Sequence, residues 1–240
     1  MNTDLLHDLT RAFADAAVGL DPEARVPTCP EWPLRVLVGH IGQEHRWAAE
    51  IVRTGAASGI PDPRDAQPGS DWKQWLAEGA ELLAEAVAKA CDATVWTFIG
   101  PQPASFWLRR MVNDTAVHYA DAAIAAGHRC DIPDEVAVDA IEEGLEFLAN
   151  PVAETIKPAV AELRGAGETI RIQPGGHPGW LITRSPEGVR WRHGAAAADV
   201  TVNGTAQDLL LVFFGRLPID DVSVSGNRAL MTHWLAHSGF

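Results

Sequence analysis

The sequence predicts an α+β protein, with a helical domain first and a small mixed domain after it. Apolar residues recur at helical spacing through residues 1–150, and short alternating segments typical of strands begin after residue 165. The charge changes in the same region: residues 1–150 carry 24 acidic and 11 basic residues, whereas residues 151–240 carry eight of each. We therefore expect two domains, 1–150 and 151–240, with a linker inside 150–168.

The first domain is expected to consist of helices. Thr3 is a candidate N-cap for the first helix, Pro33 suits the first turn of the second, and Gly55 follows its last turn. Residues 56–70 are rich in Gly, Pro and Asp and are predicted to form a loop. The five predicted helices cover approximately residues 3–17, 33–55, 71–91, 104–126 and 133–150.

The second domain is expected to combine short strands with helices. The turn residues 185–188 separate two alternating segments, which predicts a pair of strands. Thr205 is a candidate helix cap, with Asp208 three residues later, close to a capping box. The predicted strands cover 168–174, 180–194 as a pair, 198–204 and 221–226, and the predicted helices cover 205–217, 227–237 and a short stretch between Pro151 and Pro158.

Composition and charge argue against several classes of function. The net charge of −13 argues against a nucleic-acid partner, because contact with phosphates needs a basic surface. No stretch approaches the roughly 18 apolar residues of a membrane-spanning helix, and the N-terminus lacks the features of a signal peptide. The three cysteines form no CxxC motif and no disulfide framework, which fits a reducing compartment. We therefore expect a cytoplasmic protein with a small-molecule partner and no membrane partner.

One group of residues has the spacing of a metal site. Asp114 and His118 are four residues apart on the fourth predicted helix and therefore share one face. Trp107 and Met111 lie on the same stripe, which predicts that it faces the interior, where ionisable groups are costly unless they are paired or bind a metal. His40, among aliphatic residues on the second helix, offers a third donor. Two imidazoles and a carboxylate with an open position are typical of a catalytic zinc site or a site for another divalent ion.

The same residues have simpler interpretations, and the sequence does not choose between them. The pair of Asp114 and His118 is also typical of a surface ion pair, and His40 of a hydrogen-bonded core histidine. His45, on the second helix, is an alternative ligand. Asp121, one turn after His118, could orient that imidazole or be a solvated carboxylate.

Three further residues keep two interpretations each. Arg216 follows an apolar helix and could bind a carboxylate through both of its terminal nitrogens. It could equally cap the helix C-terminus, where the dipole favours a cation. Trp32 and Trp107 could line a pocket or pack in the core.

Three segments of the chain carry motifs in a defined order. The first is CPEWPLRVLVGHIGQEHRWAAEIVRTG, residues 29–55; the second is RRMVNDTAVHYADAAIAAG, residues 109–127; the third is residues 188–235, with a Gly-Arg pair after an apolar helix. Together they resemble the mycothiol-dependent maleylpyruvate isomerase family of actinobacteria, part of the wider DinB-like metal-binding superfamily. The first segment resembles the family's Cys-Pro-x-Trp opening and the helix with its first ligand histidine. The second resembles its Arg-Arg-x-x-x-Glu-x-x-x-His helix, and the third its C-terminal domain.

This resemblance implies a fold and a ligand set. The fold would be a DinB-like four-helix bundle that binds zinc, followed by a small α+β domain similar to sterol-carrier folds. The metal ligands would be His40, Asp114 and His118, where the family usually has Glu at the position of Asp114. Arg216 falls on the family's functionally important arginine. Mycothiol, the actinobacterial low-molecular-weight thiol, would be the cosubstrate.

The resemblance also implies a reaction. A metal-bound thiolate would attack an electrophilic substrate: addition to a cis double bond, rotation and elimination would give the trans isomer, while Arg216 holds a carboxylate. Two alternatives stay open, a mycothiol S-transferase that releases a conjugate and a non-catalytic small-molecule-binding module with a structural or degenerate metal site. The sequence leaves the substrate, the metal and the oligomeric state open.

Overall fold

The protein has an α+β architecture, which confirms the predicted fold class. The computed structural model describes residues 2–91 and 93–239. By the contacts between Cα atoms, the chain divides into two units, residues 1–132 and residues 133–240. Within the described part of the chain, no helix combines the length and the apolar character that crossing a bilayer requires.

Four long helices form the first unit. They are α1 (Thr3–Ala17), α2 (Leu34–Thr54), α3 (Trp72–Ala90) and α4 (Ser105–Ala125). Both α1 and α2 contact α3 and α4, so the four helices pack as a bundle. The core between them is apolar, and Phe13, Leu37, Leu76 and Trp107 are completely buried in it.

Two short hairpins interrupt the helices, and the sequence patterns did not predict them. The first joins β1 (Arg25–Val26) to β2 (Cys29–Pro33), and the second joins β3 (Thr94–Val95) to β4 (Gln102–Pro103). Strands of two residues are too short to show alternation, and prolines within β2 and β4 do not suit a regular strand. The strand β2 leads directly into α2, which places its side chains next to that helix.

The helix caps follow the predictions in part. The cap of α1 is Asn2, whose Oδ1 accepts a hydrogen bond from the backbone N–H of Leu5 at 2.9 Å, so the choice of Thr3 was wrong by one residue. Both side chains can cap a helix, and the position at which the backbone turns helical decides between them. The cap at Thr205 is confirmed, since its Oγ1 accepts from the N–H of Asp208 at 3.0 Å.

The division between the units lies at 132/133 rather than at 150. The helix α5 (Asp134–Ala149) belongs to the second unit, where it contacts α7 (Ala206–Phe213) and β7 (Gly188–His193). A Cβ atom on Gly144 of α5 would come within 2.7 Å of the Phe213 ring. The amphipathic pattern of this helix showed that one face is apolar, but it carried no information about which partner buries that face.

A five-stranded sheet forms the centre of the second unit. Its strands are β5 (Thr169–Pro174), β6 (Trp180–Ser185), β7, β8 (Val200–Gly204) and β9 (Ser223–Gly226). Their order in the sheet is β7–β6–β5–β8–β9, with β5 parallel to β8 and all other neighbours antiparallel. The predicted hairpin is confirmed, because β6 and β7 pair from Trp180 opposite His193 to Ser185 opposite Gly188. The other α-helices of this unit are α6 (Val152–Ile156) and α8 (Arg228–Ser238).

Candidate metal centre

Three donor side chains meet inside the first unit. His40 comes from α2, and Asp114 and His118 come from α4. The Nε2 atoms of His40 and His118 lie 3.4 Å and 3.9 Å from Asp114 Oδ2. The two imidazole centroids are 4.9 Å apart, and one donor atom of each residue lies within 4.8 Å of the other two. The structure thus brings the three predicted ligands together.

The helical period explains why the two donors of α4 share a face. Asp114 and His118 are one turn apart, and Trp107 and Met111 on the same stripe are buried to within 1% of their surface. Only 15% of the Asp114 side chain and 10% of the His118 side chain are exposed. The pair is therefore not an exposed surface ion pair.

The two oxygens of the Asp114 carboxylate differ in their hydrogen bonding. Its Oδ1 accepts a hydrogen bond from Nη2 of Arg110, one turn earlier on α4. Its Oδ2 is buried and has no hydrogen-bond partner among the described residues. Burial by itself would raise the pKa of Asp114, but the Arg110 guanidinium and the two imidazoles outweigh it and hold that pKa well below its usual value. The carboxylate is thus an anionic acceptor whose open oxygen faces two imidazole nitrogens.

These donors fit a divalent cation. A buried carboxylate oxygen with no partner is costly, and a cation would remove that cost. Nitrogen and oxygen ligands about 2.0–2.2 Å from a tetrahedral zinc ion lie about 3.3–3.6 Å from one another. The observed separations from Asp114 Oδ2, 3.4 Å and 3.9 Å, are close to that range. The side chains of His40, Asp114 and His118 therefore suit zinc in chemistry and in spacing.

A second carboxylate lies on the other side of His118. His118 Nδ1 is 2.7 Å from Asp121 Oδ2, and Asp121 is completely buried, so the interpretation of Asp121 as a solvated carboxylate is wrong. Thr28 donates a hydrogen bond to Asp121 Oδ1 at 2.5 Å, and the Cys29 thiol donates to Oδ2 at 3.7 Å. Cys29, His118 and Asp121 also form a compact group of possible metal ligands, in which His118 is shared with the first group.

Two more ionisable residues of α2 are buried near the centre. Glu44 Oε1 lies 3.9 Å from His40 Nδ1. Burial and then the negative charge of Asp114 raise the pKa of Glu44 to about 7. His45 is completely buried, its Nε2 lies 2.9 Å from Thr115 Oγ1, and burial lowers its pKa to about 3. His45 was the alternative ligand, but its Nε2 is hydrogen bonded to Thr115, and His45 belongs to neither group of possible metal ligands among the described residues.

The two tryptophans singled out in the sequence have different surroundings. The Trp32 ring, on β2, lies 5.0 Å from the His40 ring and 6.1 Å from the His118 ring, between centroids. It therefore lines the centre. Trp107 instead packs in the core against Trp47 and Trp96, at 4.8 Å and 6.2 Å.

Arg216 lies in the second unit, beyond the end of α7. Its Nη1 donates a hydrogen bond to the carbonyl oxygen of Phe214 at 2.7 Å. Phe214 is the residue at the C-terminal cap of α7, so this contact suits the capping role that the helix dipole favours. A role of Arg216 toward a substrate carboxylate stays a prediction.

Sequence reasoning missed Glu44, Thr28 and Cys29 as neighbours of the centre. Glu44 could have been found, because it stands one helical turn after His40 and so shares its face. Thr28 and Cys29 have no such regular spacing. They reach Asp121, more than 90 residues later, only because the β1–β2 hairpin packs beside α4.

Comparisons with known proteins agree with this architecture. The family model described as the mycothiol maleylpyruvate isomerase N-terminal domain matches residues 3–123, and the model of the MDMPI C-terminal domain matches residues 135–233. No curated protein matches the chain.

Two solved structures are similar to the chain over nearly its whole length. One is a mycothiol-dependent maleylpyruvate isomerase, with a TM-score of 0.59 and 15% identity. The other is a single-site mutant of such an enzyme, with a TM-score of 0.62 and 16% identity. Each match covers 93% of this chain and 91% of the other. At this identity the similarity shows a common fold, whereas the two family models span most of the sequence. The chain therefore belongs to the mycothiol-dependent maleylpyruvate isomerase family.

Proposed function

We propose that the protein is a mycothiol-dependent enzyme that holds a divalent cation, zinc, through His40, Asp114 and His118. Its substrate would be a small electrophilic molecule with a cis double bond next to a carbonyl group. Membership in the family supports this reaction class. The observation that carries the proposal is the buried Asp114 Oδ2, which has no hydrogen-bond partner among the residues that the structure describes and faces two imidazole nitrogens.

The three side chains would bind the cation through His40 Nε2, Asp114 Oδ2 and His118 Nε2. When bound, the cation would lower the pKa of the mycothiol thiol and keep it as a thiolate at neutral pH. Arg110 holds the second oxygen of Asp114, so this carboxylate offers a single oxygen and leaves coordination positions open. Trp32 covers the two imidazoles from the side of β2 and limits the access of water to them.

The reaction would proceed by addition and elimination. The mycothiol sulfur forms a bond to one carbon of the cis double bond, and the electron pair of that bond moves onto the neighbouring carbonyl oxygen. The remaining single bond rotates. The electron pair then returns, the sulfur leaves with its own pair, and the trans double bond forms with the thiolate regenerated.

Elemental analysis tests the metal part of this proposal. We expect close to one zinc ion per chain in the wild type and less than about 0.1 in both His118→Ala and Asp114→Asn. The Asp114→Asn variant keeps the side-chain volume, so its loss of zinc cannot be assigned to a cavity. The control is His128→Ala, because His128 is an exposed histidine beyond the end of α4 and belongs to neither group of possible metal ligands. Equal zinc content in all four proteins would contradict the ligand assignment.

Product analysis with mycothiol tests the reaction. We expect wild-type protein to convert maleylpyruvate into its trans isomer only when mycothiol is present, with the thiol recovered unchanged. A conjugate of substrate and mycothiol as the end product would instead identify an S-transferase. Absence of any thiol-dependent turnover, together with absence of zinc, would identify a non-catalytic binding module.

A further inference from the structure

The side chain of Asp121 has an environment that the proposed metal ligation alone does not explain. Its carboxylate is completely buried, yet both oxygens are engaged by donors from two separate parts of the chain. Asp121 Oδ1 accepts from Thr28, and Oδ2 accepts from Cys29 and from His118 Nδ1. A buried carboxylate is tolerated when it is surrounded by donors in this way.

The hydrogen bond from His118 decides which nitrogen of that imidazole is available. A carboxylate oxygen accepts, so the proton of the neutral imidazole lies on Nδ1, and Nε2 keeps its lone pair. Nε2 is the atom that faces Asp114 Oδ2 at 3.9 Å. The contact at 2.7 Å therefore also fixes the rotation of the ring about its side-chain axis.

His40 has weaker support of the same kind. Its Nδ1 lies 3.9 Å from Glu44 Oε1, which is too long for a hydrogen bond. The two proposed ligand histidines are thus unequal, because the ring of His118 is hydrogen bonded to a buried carboxylate and the ring of His40 is only near one. The effect of removing the carboxylate beside His118 can therefore be compared with the effect of removing the one beside His40 in the same protein.

We propose that Asp121 is a positioning residue that holds His118 ready for a divalent cation, and that Thr28 and Cys29 hold Asp121 in place. This inference rests on the metal site of the proposed function. It also gives the Thr-Cys-Pro segment before α2 a role: its hydroxyl and thiol groups anchor the carboxylate that orients a ligand on α4.

The test measures the affinity of the metal-free protein for Co²⁺ and the visible absorption spectrum of the complex. We expect Asp121→Asn to bind Co²⁺ about 10- to 100-fold more weakly than the wild type, with a changed spectrum. The matched comparison is Glu44→Gln, the same change of carboxylate to amide beside His40, for which we expect a clearly smaller loss. Urea unfolding of the metal-free proteins is measured in parallel, because a merely structural role would lower the unfolding midpoint without changing Co²⁺ affinity or spectrum.

Four outcomes would overturn the inference. Binding of Co²⁺ by Asp121→Asn within about twofold of the wild type would do so, because an orienting carboxylate is worth more than that. Equal losses in Asp121→Asn and Glu44→Gln would also do so, since they would show a general effect of charge. Wild-type protein that binds no Co²⁺ would overturn the proposed function and this inference with it, whereas loss of binding in His118→Ala but not in Asp121→Asn would overturn this inference alone.

A second variant keeps the test decisive if Asp121→Asn does not fold. Thr28→Val keeps the shape of the side chain and the carboxylate of Asp121, and removes one hydrogen-bond donor. We expect it to weaken Co²⁺ binding by about fivefold. Unchanged affinity in Thr28→Val would then overturn the inference.

Discussion

The buried imidazole of His45 is expected to make the protein less stable in mild acid. His45 is completely buried in α2, and Thr115 Oγ1, 2.9 Å from its Nε2, is the hydrogen-bond partner of this ring. Burial lowers the pKa of His45 from 6.5 to about 3, because a charged ring would lose its hydration. In the unfolded chain the same imidazole has its ordinary pKa of about 6.5.

The direction and size of the effect follow from these two pKa values. Between pH 6.5 and about 3 the unfolded state binds a proton at His45 and the native state does not, so stability is complete above 6.5 and falls as the pH falls through this window. A pH of 5 lies about 1.5 units below the pKa of the unfolded-state imidazole. Each unit corresponds to about 1.36 kcal/mol of free energy of unfolding. We therefore expect His45 to cost about 2 kcal/mol of stability at pH 5 relative to pH 7.5.

Urea unfolding of metal-free protein at pH 7.5 and pH 5.0 measures this loss. Glutamine at position 45 can still bond to Thr115 but does not titrate, so His45→Gln should lose about 2 kcal/mol less than the wild type between the two pH values. The control is His128→Gln, an exposed histidine, which should lose as much as the wild type. The same pH dependence in wild type and His45→Gln would refute the reasoning, whatever the stability of the variant at pH 7.5.

Two further predictions concern packing and capping. Gly42→Ala should lower the free energy of unfolding by about 1–3 kcal/mol, because the added Cβ would overlap the indole of Trp75 between α2 and α3. The control is Gly59→Ala, which meets no atom within 4 Å, and equal urea midpoints for both variants would contradict this argument. Thr205→Ala should cost about 1 kcal/mol in thermal unfolding, because Asp208 N–H at the start of α7 loses its acceptor; an unchanged melting temperature would show that water replaces the cap at no cost.

Local patterns predicted most of the features that a single element determines, although they placed the cap of α1 at Thr3 instead of Asn2. The spacing of Asp114 and His118 placed both on one face of α4, since a helix repeats every 3.6 residues. The turn at 185–188 and the cap at Thr205 were likewise readable, because each depends on a few consecutive residues. The boundary between the units was not readable, because α5 carries an apolar face without information about its partner.

The residues around the candidate metal centre also divide into those that the pattern of a single helix predicts and those that only packing brings close. Glu44 stands one turn from His40 and was within reach of the helical pattern, although it was overlooked. Thr28 lies in the turn of the β1–β2 hairpin, and Cys29 and Trp32 lie on β2. These residues follow no regular spacing, so the sequence could not predict their contacts with Asp121 and His118 of α4. The sequence also could not predict that Asp114 Oδ2 is buried without a hydrogen-bond partner among the described residues, because burial and hydrogen bonding depend on how the elements pack.

The sequence by itself determined the α+β class, the helices that carry the three donors and the resemblance to the family. Only the tertiary structure decided that His40 of α2 meets Asp114 and His118 of α4, that Asp121 is buried behind His118, and that α5 belongs to the second unit. The reason is that helical periodicity is set by the backbone within one element. The meeting of side chains from different elements depends on how their faces pack, and no single segment encodes that packing.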